Sequence, residues 1–274
     1  MSKNRVINIH QKTLDDLEFS TVQSQLSEHC ITNLGKESAL KVVPFSEIEI
    51  IKRELTYTNE YLSSFDNDNR IPNHGFEALT KEIKLLNIEN TYLEIPSLQK
   101  IVSTSLTVNS ILKFLEKFKE YYKNLYNLSQ PIDYNASIIE QVDVVVDRFG
   151  DIKDNASPAL AILRKTITSL RTKINTSFSS ALNKYHNLEY LDDIRESVVE
   201  NKRVLAVKSM YRRKVNGAIM GGSKTGSIVY IEPETTLNYS RELNNLEYEE
   251  KEEVIKILKE LSDYIRLFLP LLNQ

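Results

Sequence analysis

The chain has 274 residues, 41% of them apolar, and a formal net charge of -3, enough for one large or two ordinary domains with a buried core and too acidic overall for a general affinity for nucleic acid. Its one cysteine, Cys30, excludes an internal disulfide and suits a reducing compartment. No apolar run approaches the ~18 residues of a membrane span, and the N-terminus MSKNRVINIHQKT lacks the apolar stretch of a secretory signal, so a cytoplasmic location is expected.

With seven glycines, seven prolines and no tryptophan, most of the chain has the composition of an α-helical protein. Thr13 with Asp16 offers an N-terminal cap for a first helix with Leu14, Leu17, Val22 and Leu26 on its apolar face. A short second helix fits Leu34 to Val43 and ends at Pro44. Ser46 and Glu49 form a capping box ahead of Ile48, Ile51, Leu55 and Leu62, and Phe65 to Asn69 is a polar loop. The helical pattern resumes at Phe76, Leu79, Ile83 and Leu86. A longer one starts near Ile95-Pro96 and runs through Leu98, Val102, Leu106, Ile111, Leu115 and Phe118, and Pro131 precedes another with Ile138, Ile139, Val142 and Val145.

Gly150 marks a turn, Ser157 is a good cap and Pro158 a good first helical residue. From Leu160 to Leu188 the apolar positions recur at steps of three or four, which predicts a helix roughly 45 Å long. A second long helix follows Pro233 through Leu237, Leu246, Val254, Leu261 and Phe268. Run antiparallel, the two would place Ile174 near Glu250. Arg171 to Ser180 and Glu247 to Glu253 are both polar, so the middle of this arm is expected to be its softest part, where it bends or frays most easily.

Between the long helices lies a segment unlike the rest. It holds Gly217, Gly221, Gly222 and Gly226, and between Ser197 and Tyr230 its seven basic residues, Lys202, Arg203, Lys208, Arg212, Arg213, Lys214 and Lys224, face one acid, Glu200. Ser197 to Val199, Val204 to Val207 and Ile228 to Ile231 are β-type runs, with Asn216-Gly217 a tight-turn signal between the last two. Three or four short antiparallel strands are expected. The seven cations, with Tyr211, Ser223, Thr225 and Ser227, make a plausible surface for phosphate backbones, which binds without sequence preference and weakens steeply with salt. The same charge also fits a tip that is merely solubilised or paired with acids.

Gly217 to Thr225 looks like a phosphate-binding loop, but Ser223 separates the glycine from Lys224-Thr225 where that motif needs them contiguous. The four histidines are scattered, no His or Cys pair has zinc-ligand spacing, and no arrangement of nucleophile and base stands out. No catalytic, metal or cofactor residue is expected in this chain.

Ordered pieces across nearly the whole length resemble the MutS family, in particular its bacterial type-two subfamily. They are Leu17-Glu18-Phe19 with Val22 and Leu26; Gly35-Lys36-Glu37 with Ala39 and Pro44; Asp154 with Ala156-Ser157-Pro158; Arg203-Val204 with Val207-Lys208; Gly217; Thr225-Gly226-Ser227; and Ile231-Glu232-Pro233 with Leu237-Asn238. Two stretches depart. Glu200-Asn201-Lys202-Arg203 replaces the family's Asn-Gly turn, leaving the turn's shape open, and Asn67 to Glu94 matches poorly.

The resemblance implies a mainly α fold: a helical core domain at 1–157, an ascending lever helix at 158–191, a small antiparallel β clamp at 192–233 and a returning lever helix at 234–274. It implies a full-length homodimeric ATPase using ATP and magnesium, with a possible endonuclease domain. Leu267 to Leu272 would then be an apolar edge meant for a part of the protein beyond this chain. The implied role is DNA repair or suppression of recombination, with the clamp gripping duplex or branched DNA. A ribosome- or ribosomal-RNA-gripping clamp in rescue of stalled ribosomes, and a helical protein-interaction module without a nucleic-acid role, are the alternatives.

Overall fold

A computed structural model describes residues 9–66 and 69–274. Residues 1–8, part of the N-terminus expected to lack a secretory signal, and Asn67 and Asp68 of the expected polar loop lie outside the described residues. The fold is mainly α with one small antiparallel sheet, and it divides into two compact units: the chain up to Lys153 with Leu258–Gln274, and Asp154–Ile257.

The first unit contains α1 (Gln11–Asp16), α2 (Phe19–Glu28), α3 (Asn33–Leu40), α4 (Ile48–Ser63), α5 (Thr80–Leu86), α6 (Ile95–Lys117), α7 (Lys123–Ser129) and α8 (Ser137–Val145). The expected first helix is two, because Glu18 takes a left-handed conformation, φ 52°, between α1 and α2. The capping box at Ser46 and Glu49 does not form: α4 opens at Ile48 with no side-chain cap. Thr32, by contrast, accepts a hydrogen bond from the Gly35 amide at 3.0 Å and caps α3. Phe76 and Leu79 precede α5 rather than riding on it.

The core of this unit is built where long apolar helices cross. Leu98 and Ile101 of α6, Ile138 and Val142 of α8, Leu86, Leu93 and Tyr122 are all buried. The Glu60 carboxylate of α4 caps α7, accepting from the Asn124 and Leu125 amides at 2.9 to 3.0 Å and supplying the partners that a helix N-terminus needs. The start of the chain contributes little to the core. Leu17, Val22, Leu26, Leu55 and Leu62 remain exposed, so much of the apolar surface expected for the first helix and for α4 faces outward, while Leu14 and Ile51 are partly buried.

The terminal helix α11 (Leu269–Leu272) lies in the first unit as well. Leu271 and Leu272 line an apolar cleft of about 470 Å³ with Phe76, Leu79, Ile83 and Ile111. The expected free apolar edge is thus partly used by the chain itself, and Leu267 and Pro270 are the residues of that run left exposed.

The second unit holds α9 (Pro158–Asn187), most of α10 (Glu234–Arg266), and strands β1 (Leu191–Val199), β2 (Lys202–Lys208), β3 (Gly217–Gly222) and β4 (Ile228–Pro233). Ser157 caps α9 by accepting from the Leu160 amide at 3.0 Å, and its hydroxyl donates to Glu253 at 2.7 Å. Arg164 bridges Asp154 and Glu250, at 2.6 and 2.7 Å. Burial opposes its charge, but the bonds to Glu250 and Asp154 outweigh that and raise its pKa.

Arg171 pairs with Glu247 at 2.8 Å, and Ser177 donates to the Thr235 carbonyl at 3.0 Å. Glu250 is therefore opposite Arg164, not Ile174. Ile174 shares with Leu243 a polar-walled cleft of about 520 Å³. The polar contacts of Arg171 and Ser177 bridge the middle of this helix pair alongside the buried Leu170 and Phe178.

The sheet order is β1-β2-β4-β3, all antiparallel. Leu205 and Val207 of β2, with Ile231 and Val215, pack on Phe178, Ala181 and Tyr185 from the last turns of α9. The helix thus continues as a buttress under the strands. Asn216-Gly217 is not the hairpin turn. Gly217 opens β3 beside Pro233, and the chain reverses at Ser223 to Ser227.

Candidate nucleic-acid interface

Each strand end fixes where the seven expected cations go. Lys202 pairs across with Val199 at one end of β2, and Lys208 pairs with Ile228 at the other, six residues or roughly 20 Å away along an extended strand. The positive charge is therefore divided between two ends of the sheet rather than gathered in one patch.

At the first end, Glu200 and Asn201 form the β1–β2 turn with φ of 49° and 60°. Positive φ at both central residues is the geometry of the type I′ turn, so the Glu-Asn pair makes the shape that an Asn-Gly pair adopts more cheaply. Lys202 then reaches the carboxylate of Glu232 at 3.1 Å; Glu232 is 1% exposed. Arg203 donates twice to Glu196, at 2.7 and 3.0 Å, lies 4.3 Å from the centre of the Phe178 ring and reaches Asn175. Both cations are used inside the fold.

The other end is different. After Lys208, whose ammonium donates to the Glu189 carbonyl at 3.3 Å, the chain forms a 3-10 helix, Ser209–Lys214. It is anchored on one side by the Ser209 amide donating to the Ser227 carbonyl at 2.9 Å, and by the Ser209 hydroxyl donating to the Gly226 carbonyl. On the other side Tyr211 stacks on Tyr190 at 4.6 Å, Tyr190 continues to Tyr185 of α9, and the Lys214 ammonium sits 5.6 Å from both the Tyr190 and Tyr211 rings.

These contacts hold the backbone; the Lys208 and Lys214 ammonium groups rest on a carbonyl and on the tyrosine rings, and Arg212 and Arg213 face outward. Arg212, Arg213 and Lys214 are exposed, as is Lys224 in the β3–β4 turn. Among the described residues, none of these four, nor Lys208, pairs with an acid. In the same turn, the hydroxyls of Ser223, Thr225 and Ser227 lie 2.8 to 3.4 Å from one another, and Gly226 supplies the positive φ of 71° that the reversal needs.

The structure thus brings together five of the seven expected residues, Lys208, Arg212, Arg213, Lys214 and Lys224, and assigns Lys202 and Arg203 to internal pairs. The 3-10 helix also presents Met210, 77% exposed, which charge counting passes over. Its signal in the sequence is a lone large apolar residue inside Lys208-Ser209-Met210-Tyr211-Arg212-Arg213-Lys214.

No family model matches the chain. Among curated proteins it is 31% identical over 261 residues to Endonuclease MutS2 of Lactobacillus helveticus, covering 94% of this chain and 33% of that protein. It is 29% identical over 266 residues to Endonuclease MutS2 of Finegoldia magna, covering 93% and 33%. The chain is a MutS2 relative. Against Endonuclease MutS2 of Aquifex aeolicus the identity is 26% over 264 residues, with 94% of this chain covered. The chain spans about a third of the length of the MutS2 proteins that it matches. The match runs over both units, so the four-stranded head is part of what is shared with MutS2. No helix among the described residues is long and apolar enough to cross a membrane.

Proposed function

We propose that this chain is the nucleic-acid-gripping part of a MutS-like protein of DNA repair or recombination control, holding duplex or branched DNA by its phosphate backbone. The observation that carries the reading is the outer end of the head, where five cations stand on a braced surface without acidic partners. A cation paired inside a fold has spent its charge; one held outward on a rigid element can replace the counterions of a phosphate chain. Among the described residues that end of the head carries no α-helix to enter a groove, so the contacts position the strand and carry no base code.

The name Endonuclease MutS2 belongs to the relatives. On the same reading, the full protein here is a homodimer that uses ATP and magnesium, acts on nucleic acid enzymatically and works in the cytoplasm. The nearest thing to a phosphate loop in this chain does not fit that role: Gly217–Gly222 is a strand, and Ser223 to Ser227 turns directly into another strand, not into a helix. No catalytic step is assigned to these residues. The exposed apolar faces of α2 and α4 favour a second, compatible role for the first unit as a protein-interaction module.

Titrating the chain against branched DNA, linear duplex and stalled ribosomes over a range of salt concentrations tests the assignment. Arg212→Ala with Arg213→Ala should flatten the dependence of log affinity on log salt by about 1 to 2 units. An unchanged slope and affinity would remove the assignment. Tighter binding to ribosomes than to either DNA would move the target while keeping the surface.

A further inference from the structure

We propose that Met210 is an apolar wedge that lets the head prefer nucleic acid with an unstacked or unpaired base step over continuous duplex; the inference rests on the nucleic-acid reading above. Single exposed apolar side chains are common on protein surfaces, and exposure alone would mean nothing. Three features set this one apart. It is 77% exposed in the middle of the basic surface, between Lys208 on one side and Arg212 and Arg213 on the other. No acid occurs in the sequence between Glu200 and Glu232. Its backbone is fixed on both sides, by Ser209 bonded to Ser227 and Gly226 and by Tyr211 stacked on Tyr190.

An apolar group held among phosphate-binding cations gains nothing from phosphates, which are hydrated and charged. It gains by leaving water for the space between two bases. Methionine is among the residues that proteins insert at base steps, and the cost of unstacking is lowest where the stack is already broken. A long, unbranched, polarizable side chain suits such an irregular gap. The flanking cations would hold the strand on either side of the gap, and the braced 3-10 helix would keep the wedge from folding back.

The two components separate by their salt dependence. Cations release counterions and set the slope, whereas an apolar contact releases none. The test uses the 274-residue chain, a duplex, and the same duplex carrying one unpaired 2-aminopurine at a three-way branch, followed by fluorescence anisotropy at several salt concentrations. Met210→Ala should weaken binding to the branched DNA by about tenfold, the scale of losing one buried apolar side chain. Duplex affinity and the salt slope should stay unchanged. Met210→Phe should retain the preference, and 2-aminopurine should brighten on binding the parent chain and much less on binding Met210→Ala.

An unchanged branched-to-duplex ratio in Met210→Ala overturns the wedge. If Arg212→Ala with Arg213→Ala still flattens the slope in that case, the backbone grip stands without it. A parent chain that binds neither DNA overturns both. Met210 has no core contact to lose, so a folding failure does not confound the result.

Discussion

The two ends of the small sheet carry the same kind of residue and use it in opposite ways. At the β1–β2 turn, Lys202 and Arg203 each meet a carboxylate, and one of those carboxylates, Glu232, is almost wholly buried. At the β3–β4 turn and the 3-10 helix, the cations meet carbonyls, aromatic faces or solvent. The difference lies in where the acids are. Glu196 and Glu232 both stand on strands beside the first end and meet its cations, whereas at the second, which the start of β1 and Glu189 also border, no cation pairs with a carboxylate among the described residues. A run of positive charge is thus divided, by strand register alone, into a part that holds the head together and a part that is free to act outside it. Changes at the first end should therefore alter stability and leave the salt dependence of binding alone, and changes at the second should do the reverse.

The sharpest way to break this contrast is Lys202→Met. It leaves the Glu232 carboxylate buried without its partner, and breaking a buried pair from one side typically costs about 3 to 5 kcal/mol. Lys202 is itself partly exposed, so the low end, about 3 kcal/mol, is expected in urea unfolding of the second unit. The salt slope of DNA binding should match the parent where the head is folded. A loss below about 1 kcal/mol would mean that water reaches Glu232 and that the two ends differ less than their geometry indicates.

Gly217→Ala should come next. A Cβ at this position would lie 2.1 Å from the Glu232 carbonyl oxygen and 2.7 Å from Cγ2 of Ile231, and backbone cannot yield as a flexible side chain does. The strand β3 must move away from β4, with a loss of about 2 kcal/mol. Because β3 hangs from the outer turn, this variant should also blunt binding. A parent-like melting temperature in Gly217→Ala would show that β3 is loosely held and that the outer end is not rigid.

Much of this was legible in the residues and some could not be. The cap at Ser157, the long helices and the β-type runs follow from local rules, and local rules sufficed because each of those signals stands alone in its stretch. The capping box at Ser46 failed because α4 starts two residues later, beyond the reach of that hydroxyl. Asn216-Gly217 misled because the glycine there answers a close approach by a neighbouring strand, a tertiary demand that has the same signature as a turn. The cations could be counted but not sorted, since pairing with Glu196 and Glu232 depends on register across strands up to 30 residues apart. Tyr190 gave no pattern at all, and Met210 only a single aliphatic side chain in a basic run: one matters through stacking, the other through exposure, and neither is periodic.

The smallest expected effect is the most discriminating. Arg203 is half-exposed, so removing it should cost only about 1 kcal/mol, from an ion pair that is worth little at that exposure and a guanidinium over the Phe178 ring. Arg212→Ala with Arg213→Ala removes twice as much charge, and should change stability by less than about 0.5 kcal/mol because neither side chain has a packed partner. Binding should rank them the other way, with the Arg203→Ala slope unchanged and the double variant's slope reduced. Net charge alone predicts a slope change in both, in proportion to charge removed. A slope that falls in Arg203→Ala by half as much as in the double variant would therefore mean that the head acts as a diffuse positive body, and that the division between its two ends has no part in binding.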